Sequence, residues 1–313
     1  MPAKFQKKYC SAIRSLPPTM LAEAAANAVR MNPANDPIPW LQRSNASINA
    51  QKIVIMTQKW WGPSVDLGVT FLDIQSTQLK NKILAYANKW SKYGNIRFRE
   101  SRNGEIRLAT TPRDGHYTFL GTDIMLVQPP QHHKNMNLAS FSMSTPDEEF
   151  DRVVCHEFGH AIGCAHEQSR PDVMNLLDRQ KTRDYYRRYY GWDAATTDSQ
   201  IFTPIDISSA WYTRPDLTSI MCYQFPPECT VSGEEIPGGL KINDLDGSLI
   251  AEHYPKEGTG GGGEPVTGGD KLSIDLATKT VEAGPGWTLL ASQSSAITMQ
   301  APKDGQGQEV HWY

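Results

Sequence analysis

Residues 156–167 read His156-Glu157-Phe158-Gly159-His160-Ala161-Ile162-Gly163-Cys164-Ala165-His166-Glu167. Histidines four apart on a helix leave the same face one turn above the other, so both imidazoles can meet one metal ion. Gly163 lets the chain leave the helix sharply, since only glycine enters the left-handed region without steric cost. That turn can bring His166 back as a third ligand. Three protein ligands and one open position are what a catalytic zinc site requires. Glu157 stands about 100° further round the helix than the first ligand. From there it can take a proton from a water at the metal but cannot easily bind the ion. Two blander readings compete: histidines that merely fill a core or surface, and a zinc site without catalysis. Six matches at fixed positions arise by chance in roughly one chain per million, which removes the first. The intact Glu157 argues against the second.

Outward from this segment, the punctuation of a helix start is clear. Thr145 is the expected cap, Pro146 fits the first helical position, and Glu148 three residues after the cap completes a capping box. The helix is expected to run through the histidines and stop at Gly163. Further upstream, Val65–Phe71 alternates apolar and polar residues as a half-buried strand does. A helix over Ser76–Tyr93 follows, with Leu79, Ile83, Tyr86, Ala87 and Trp90 at three- and four-residue spacing. Short strands are expected at Ile96–Phe98, Ile106–Leu108 and Met136–Phe141, with loops between the last two. Downstream, helices are expected at about 178–190 and 244–254, the second capped by Asn243.

The pattern His-Glu-x-x-His-x-x-Gly-x-x-His resembles the metzincin metalloproteases, and Glu167 after the third histidine resembles the astacin family among them. Arg170 and Asp172 stand where that family continues its pattern, whereas Val173-Met174 replaces a further Arg-Asp of many animal members. Ser219-Ile220-Met221-Cys222-Tyr223 is similar to the astacin form of the Met-turn, with Met221 placed 55 residues after His166. The resemblance covers about Gln51 to Pro255 and is closest to bacterial and fungal members. It implies a two-lobed α/β (α+β) metzincin fold, with a mixed sheet, a long active-site helix and a lower lobe holding the Met-turn. It implies a zinc metalloendopeptidase with one Zn²⁺ per chain, acting on a peptide or protein substrate. His156, His160 and His166 are then metal ligands and Glu157 the general base. Met221 gives the site a soft apolar floor, and Tyr223 is a fifth ligand at rest that swings away to bond the developing oxyanion. The substrate is expected to add a strand to the sheet around Asn137-Leu138-Ala139. A zinc-bearing binding or toxin-delivery module, with proteolysis secondary, is the reading from another class.

Domain organisation is expected as follows: an extension over 1–50 with pro-segment character, a catalytic domain over 51–255, a Gly-rich linker over 256–269, and a small β-rich appendage over 270–313. The extension holds a helix from Thr19 to Arg30 and a proline-broken approach. In the appendage, Lys271–Leu276 alternates, with Trp287–Leu290 as its expected partner strand.

A composition of 39% hydrophobic and 21% charged residues argues for a folded chain with a full-sized core. The net charge of −3 gives no reason to expect nucleic acid. Tyr185, Tyr186, Tyr189 and Tyr190 alternate with Arg183, Arg187 and Arg188, which reads as a packed aromatic face with wet arginines, not a base-stacking platform. No run is long and apolar enough for a membrane span. No secretory signal is recognisable in the N-terminal residues, although the resemblance favours a secreted protein. His132-His133 reads as a solvated surface pair, and His116, His253 and His311 likewise. Five cysteines leave at least one outside an internal pair. Cys222 and Cys229 are spaced to close a small disulfide, whereas Cys155 and Cys164, roughly 13 Å apart along a helix, are not. Cys10 is either a plain cysteine or a thiolate that blocks the open zinc position.

Overall fold

Val65, Leu67 and Val69 share one buried row of β2 (Val65–Phe71), and the sheet is assembled around that row. The computed structural model describes residues 11–39, 57–127, 133–204 and 215–256, with five strands beyond residue 271. The chain divides into a unit of Met1–Gly258 and a second of Thr259–Tyr313. In the first unit, β2 pairs in parallel with β3 (Ile96–Glu100) and β4 (Ile106–Ala109). β4 pairs in parallel with β6 (Met136–Leu138), and β6 pairs antiparallel with β5 (His116–Phe119). The outermost strand is β1 (Ser11–Arg14), parallel to β5, so the order is β1-β5-β6-β4-β2-β3. The sheet is mixed, as the resemblance implies. Neither β1 nor β5 was expected as a strand.

Two helices bury their apolar faces in the same core as the sheet. α2 (Thr77–Ala87) contributes Leu79, Ile83 and Ala87 and is capped by Ser76, whose hydroxyl accepts the Leu79 N–H at 3.2 Å. A 3₁₀ turn carries it on to Trp90, whose indole N–H donates to the Cys155 carbonyl at 2.9 Å. α3 is continuous through Asp147–Glu149, a π-helical turn over Phe150–Val154, and Cys155–Ala161. Phe150, Val153, Val154 and Phe158 bury in this core, and Phe158 meets Phe98 edge-on at 4.7 Å. The expected capping box at Thr145 is not formed. Its hydroxyl accepts the Ser142 N–H at 3.0 Å in the turn before the helix, which draws it away from the helix N–H groups.

A second core packs Tyr185 and Tyr186 of α4 (Arg179–Tyr190) with Ile201 of α5 (Ala194–Ile201), Cys222, Tyr223, Phe225 and Ile236. This is the lower lobe, and the aromatic face of α4 is its packing surface. α6 (Asp244–His253) carries a capping box between Asn243 and Asp246. Cys222 is a buried free thiol donating to the Tyr223 carbonyl at 3.5 Å, so the expected Cys222–Cys229 bridge is not formed.

The N-terminal residues are tied into the same unit. α1 (Leu21–Met31) buries Ala24, Ala25 and Ala28. Just beyond it, the Asn35 carboxamide donates to the Ala28 carbonyl (3.0 Å) and the Trp60 carbonyl (2.7 Å) while accepting the Trp60 N–H (3.1 Å). Cys10, His132, the segment around Gln51 and the Gly-rich stretch 257–269 lie outside the described residues. In the second unit, β7 (Leu272–Asp275) pairs with β8 (Thr280–Ala283), and β9 (Thr288–Gln293) with β10 (Ala296–Gln300) and thence β11 (Glu309–Trp312). Thr288–Leu290 therefore partner β10 and not the strand at 272, because a nearer hairpin is available to each, and Trp287 lies outside the described residues. No helix among the described residues is long and apolar enough to cross a membrane.

Two histidines expected on the surface are inside. His133 is exposed, but His116 is buried in β5, where its Nδ1 accepts the Ala139 N–H at 3.0 Å. His253 stacks on Trp60 with ring centroids 3.9 Å apart. Burial lowers each of them to about 4. An unfolded histidine titrates near 6.5, so between those values the unfolded chain takes up protons that the fold refuses. Their stabilisation is complete above about pH 6.5 and is lost as pH falls toward 4, on the order of 3 kcal/mol for each. Denaturant midpoints measured with a chelator present should fall over that window, and His253→Gln should flatten part of the slope. A slope identical in His253→Gln and the parent would remove His253 from the account.

Candidate metal centre

α3 presents its two histidines because the residues around them face the sheet core. His156 and His160, one turn apart, are both buried. The helix ends where Gly163 takes φ 108°, its N–H bonding to His160 O (2.9 Å) and the Cys164 N–H to Gly159 O (3.0 Å). A side chain at Gly163 would be strained by that φ, and its Cβ would lie 2.8 Å from the Trp60 ring. The terminal carbonyls are satisfied by partners from distant parts of the chain. The Trp61 indole N–H donates to Ala161 O at 2.8 Å, and the Tyr254 hydroxyl to Ile162 O.

Beyond the turn, His166 comes back to the other two. Its Nε2 lies 3.2 Å from His156 Nε2 and 3.0 Å from His160 Nε2. All three side chains are buried. The other ring nitrogens explain the orientation. His156 Nδ1 donates to Ile220 O at 2.6 Å and His160 Nδ1 to Cys164 O at 2.7 Å, which places the proton on Nδ1 and leaves the Nε2 lone pairs converging. Burial, and then the proximity of His160, holds His156 well below the usual histidine range, and burial with both neighbours does the same to His166. Burial brings His160 to about 4 against the pull of the Cys164 carbonyl. Neutral imidazoles with convergent lone pairs are the donor set that suits zinc.

The turn Ser219–Tyr223 closes the site from below. A Cβ on Gly159 would lie 2.6 Å from Met221 Sδ, so glycine at this point of α3 leaves room for the sulfur. Met221 O accepts the Glu167 N–H at 3.0 Å, and Glu167 Oε1 accepts the Asp216 N–H at 2.9 Å. Burial pushes Glu167 up to about 7, opposed by the Asp216 N–H and by Arg170, whose Nε is 3.4 Å away. Arg170 also forks onto Asp172. The Tyr223 ring is 4.5 Å from that of His166 and 6.2 Å from that of His156, and Glu157 is buried on the same helix as its neighbours.

Three supports were not singled out in the sequence. Asp246 accepts Ser219 Oγ (2.6 Å) and the Ile220 N–H (3.0 Å), fixing the turn from the first turn of α6. Gln168 Oε1 accepts the Tyr223 N–H at 3.0 Å. Trp60 and Trp61 pack and cap the helix end. Asp246 left a trace as the third residue after Asn243; the others left none, since their partners lie tens of residues away. The expected substrate edge is also corrected. Asn137 and Leu138 belong to β6, which is flanked by β4 and β5, with Ala139 in the turn after it, and the Asn137 amide is spent on Thr111 O and Gly115 O. The free edge of this part of the sheet would be β5, and β1 lies on it.

The family described as Astacin (Peptidase family M12A) matches residues 53–225, which span the histidines, the glycine turn and Tyr223. The chain belongs to the astacin family. This astacin-family chain is similar to a solved structure of myroilysin at 32% identity, covering 64% of this chain and 98% of that one with a TM-score of 0.58. A second myroilysin structure matches at 33% identity over 64% and 87% of the two chains, TM-score 0.48. A zinc-protease hatching enzyme from the medaka fish Oryzias latipes matches at 16% identity over 61% and 92%, TM-score 0.43. No protein of curated function gives a significant match. As a member of the astacin family the protein is a zinc-dependent metalloendopeptidase with a metzincin fold, and its substrates are peptides or proteins.

Proposed function

We propose that His156, His160 and His166 hold the zinc, that Glu157 is the general base, and that Tyr223 assists at the oxyanion. The observation that carries this reading is the convergence of three neutral Nε2 atoms beside a buried Glu157 and the Tyr223 ring. Zinc, when bound, polarises the scissile carbonyl and makes a water more acidic. Glu157 takes the proton of the attacking water and delivers it to the departing amine. The Tyr223 hydroxyl donates to the oxygen on which charge develops. Ile220 O and Cys164 O keep two rings in the tautomer that leaves Nε2 unprotonated. Casein should be cleaved by the zinc-loaded protein, cleavage should cease with a chelator, and restored zinc should restore it. Casein left intact by a metal-verified preparation would remove proteolysis as the primary role.

We further propose that the N-terminal segment is pro-segment-like. An extended substrate recognised by strand addition needs a free sheet edge, and β1 lies along β5 where such a strand would go. α3 packs against both strands. A cut near Ala50 is a poor test, because it also removes Asn35, which braces Trp60 at the helix end. A cleavable sequence inserted between Arg14 and Leu16 lets the whole chain fold before β1 is freed. Cleavage there should raise peptide turnover, and Cys10→Ser in the uncut chain should reproduce part of the gain if its thiolate blocks the metal. Equal rates in all three proteins would dispose of latency. A gain from cutting alone leaves strand blocking and removes Cys10.

A further inference from the structure

Arg14 is the last residue of β1, in register with Phe119 of β5. Residues two apart along a strand share a face, so Tyr117 lies on the same face of the sheet as Phe119. The long Arg14 side chain leans back over it, with its guanidinium carbon 4.2 Å from the ring centroid. One guanidinium nitrogen is 3.2 Å from Asp114 Oδ1, and Lys134 Nζ is 2.8 Å from the other carboxylate oxygen. Although burial alone would raise Asp114, Lys134 and Arg14, with a hydrogen bond to Tyr117, hold it below the usual carboxylate range. Tyr117 itself is buried, and its electrostatic neighbours include Glu157. Arg14, Asp114 and Tyr117 line a cavity of about 620 Å³ together with Tyr189, Tyr190 and Trp192 of the lower lobe.

We propose that Asp114 and Tyr117 form a substrate subsite for a basic side chain, which Arg14 fills while β1 is in place. This rests on the reading of β5 as the substrate edge. A carboxylate for the charge and an aromatic face for the planar cation are the two features that recognise arginine, and both are present beside the edge. Lys134 neutralises part of Asp114, and the Tyr117 face adds the discrimination between one cation and another. The subsite thus favours the flat guanidinium over the compact ammonium of lysine. The enzyme's preferred substrates accordingly carry arginine at one fixed position from the cut. The ordinary alternative is a surface ion pair of little consequence.

The test has two arms, both on the full chain carrying the cleavable insert after Arg14. In the first, the peptide of residues 1–14, labelled with a fluorophore, is added back after β1 has been released, and binding is read by anisotropy. Arginine-to-alanine at position 14 of the peptide should weaken binding roughly 5- to 20-fold, and Asp114→Asn in the protein should remove most of that difference. In the second, a peptide library is cleaved and read position by position. One position should select arginine over leucine, and the ratio should fall toward one in Asp114→Asn. Equal binding of the two peptides, or an arginine preference untouched by Asp114→Asn, overturns the subsite and leaves a surface ion pair only. The binding arm needs no turnover. A protein that binds the peptide with the stated arginine dependence but cuts nothing supports the subsite while failing the proteolytic reading.

Discussion

Glu157→Gln should retain zinc at one ion per chain and lose nearly all peptidase activity. The substitution keeps size and leaves all three histidines in place, with their Nδ1 bonds to Ile220 O and Cys164 O untouched. What disappears is a proton acceptor. Proton-transfer assistance is worth about 10²–10⁴-fold, and the lost negative charge beside the site adds to it. The fall should appear in kcat and kcat/KM together, because the interaction matters only once the water begins to attack. Near-normal turnover by a metal-verified preparation would falsify the assignment of Glu157 as the base.

Tyr223→Phe should lower kcat by roughly 10²-fold, the scale of one lost oxyanion donor, with little change in zinc content. The ring would stay where it is. Its backbone N–H is held by Gln168 Oε1, and the side chain packs in the lower-lobe core beside His166. Only the hydroxyl is removed, so the metal content of the variant is the deciding measurement. Zinc lost together with activity would make Tyr223 a structural ligand and end the switching role.

The centre was readable from twelve consecutive residues because its chemistry is local. A helix fixes where His156, Glu157 and His160 point, and a glycine fixes how sharply the chain leaves. Helix starts were equally legible: α4 and α6 begin where expected, the second on its Asn243 cap. What stayed hidden depends on partners far along the chain. β1 and β5 are four-residue strands about a hundred residues apart; Ser11–Arg14 does not alternate, and the polar–aromatic alternation of His116–Phe119 is too short to announce a strand by itself. Without β5 in view, β6 seemed to be the edge. Thr145 misled for the opposite reason, since a good local cap was taken by a still more local turn at Ser142. His116 looks like any isolated histidine until its buried Nδ1 is seen accepting a backbone N–H.

Met221 packs with the sheet-side core, whereas its next neighbours Cys222 and Tyr223 pack with the other. The five residues Ser219–Tyr223 thus act as a rivet between the two cores of one unit, and the carbonyl that orients His156 sits on it. If either core loosens, Ile220 O and the Tyr223 ring leave their places and the histidines lose their arrangement before the chain as a whole comes apart. A partly opened molecule of this enzyme is therefore a disarmed one. Destabilising changes in the lower lobe, such as truncation of Tyr186, should register first as lost zinc retention. For a chain that cuts other chains, this ties the power to cut to the integrity of the whole catalytic unit.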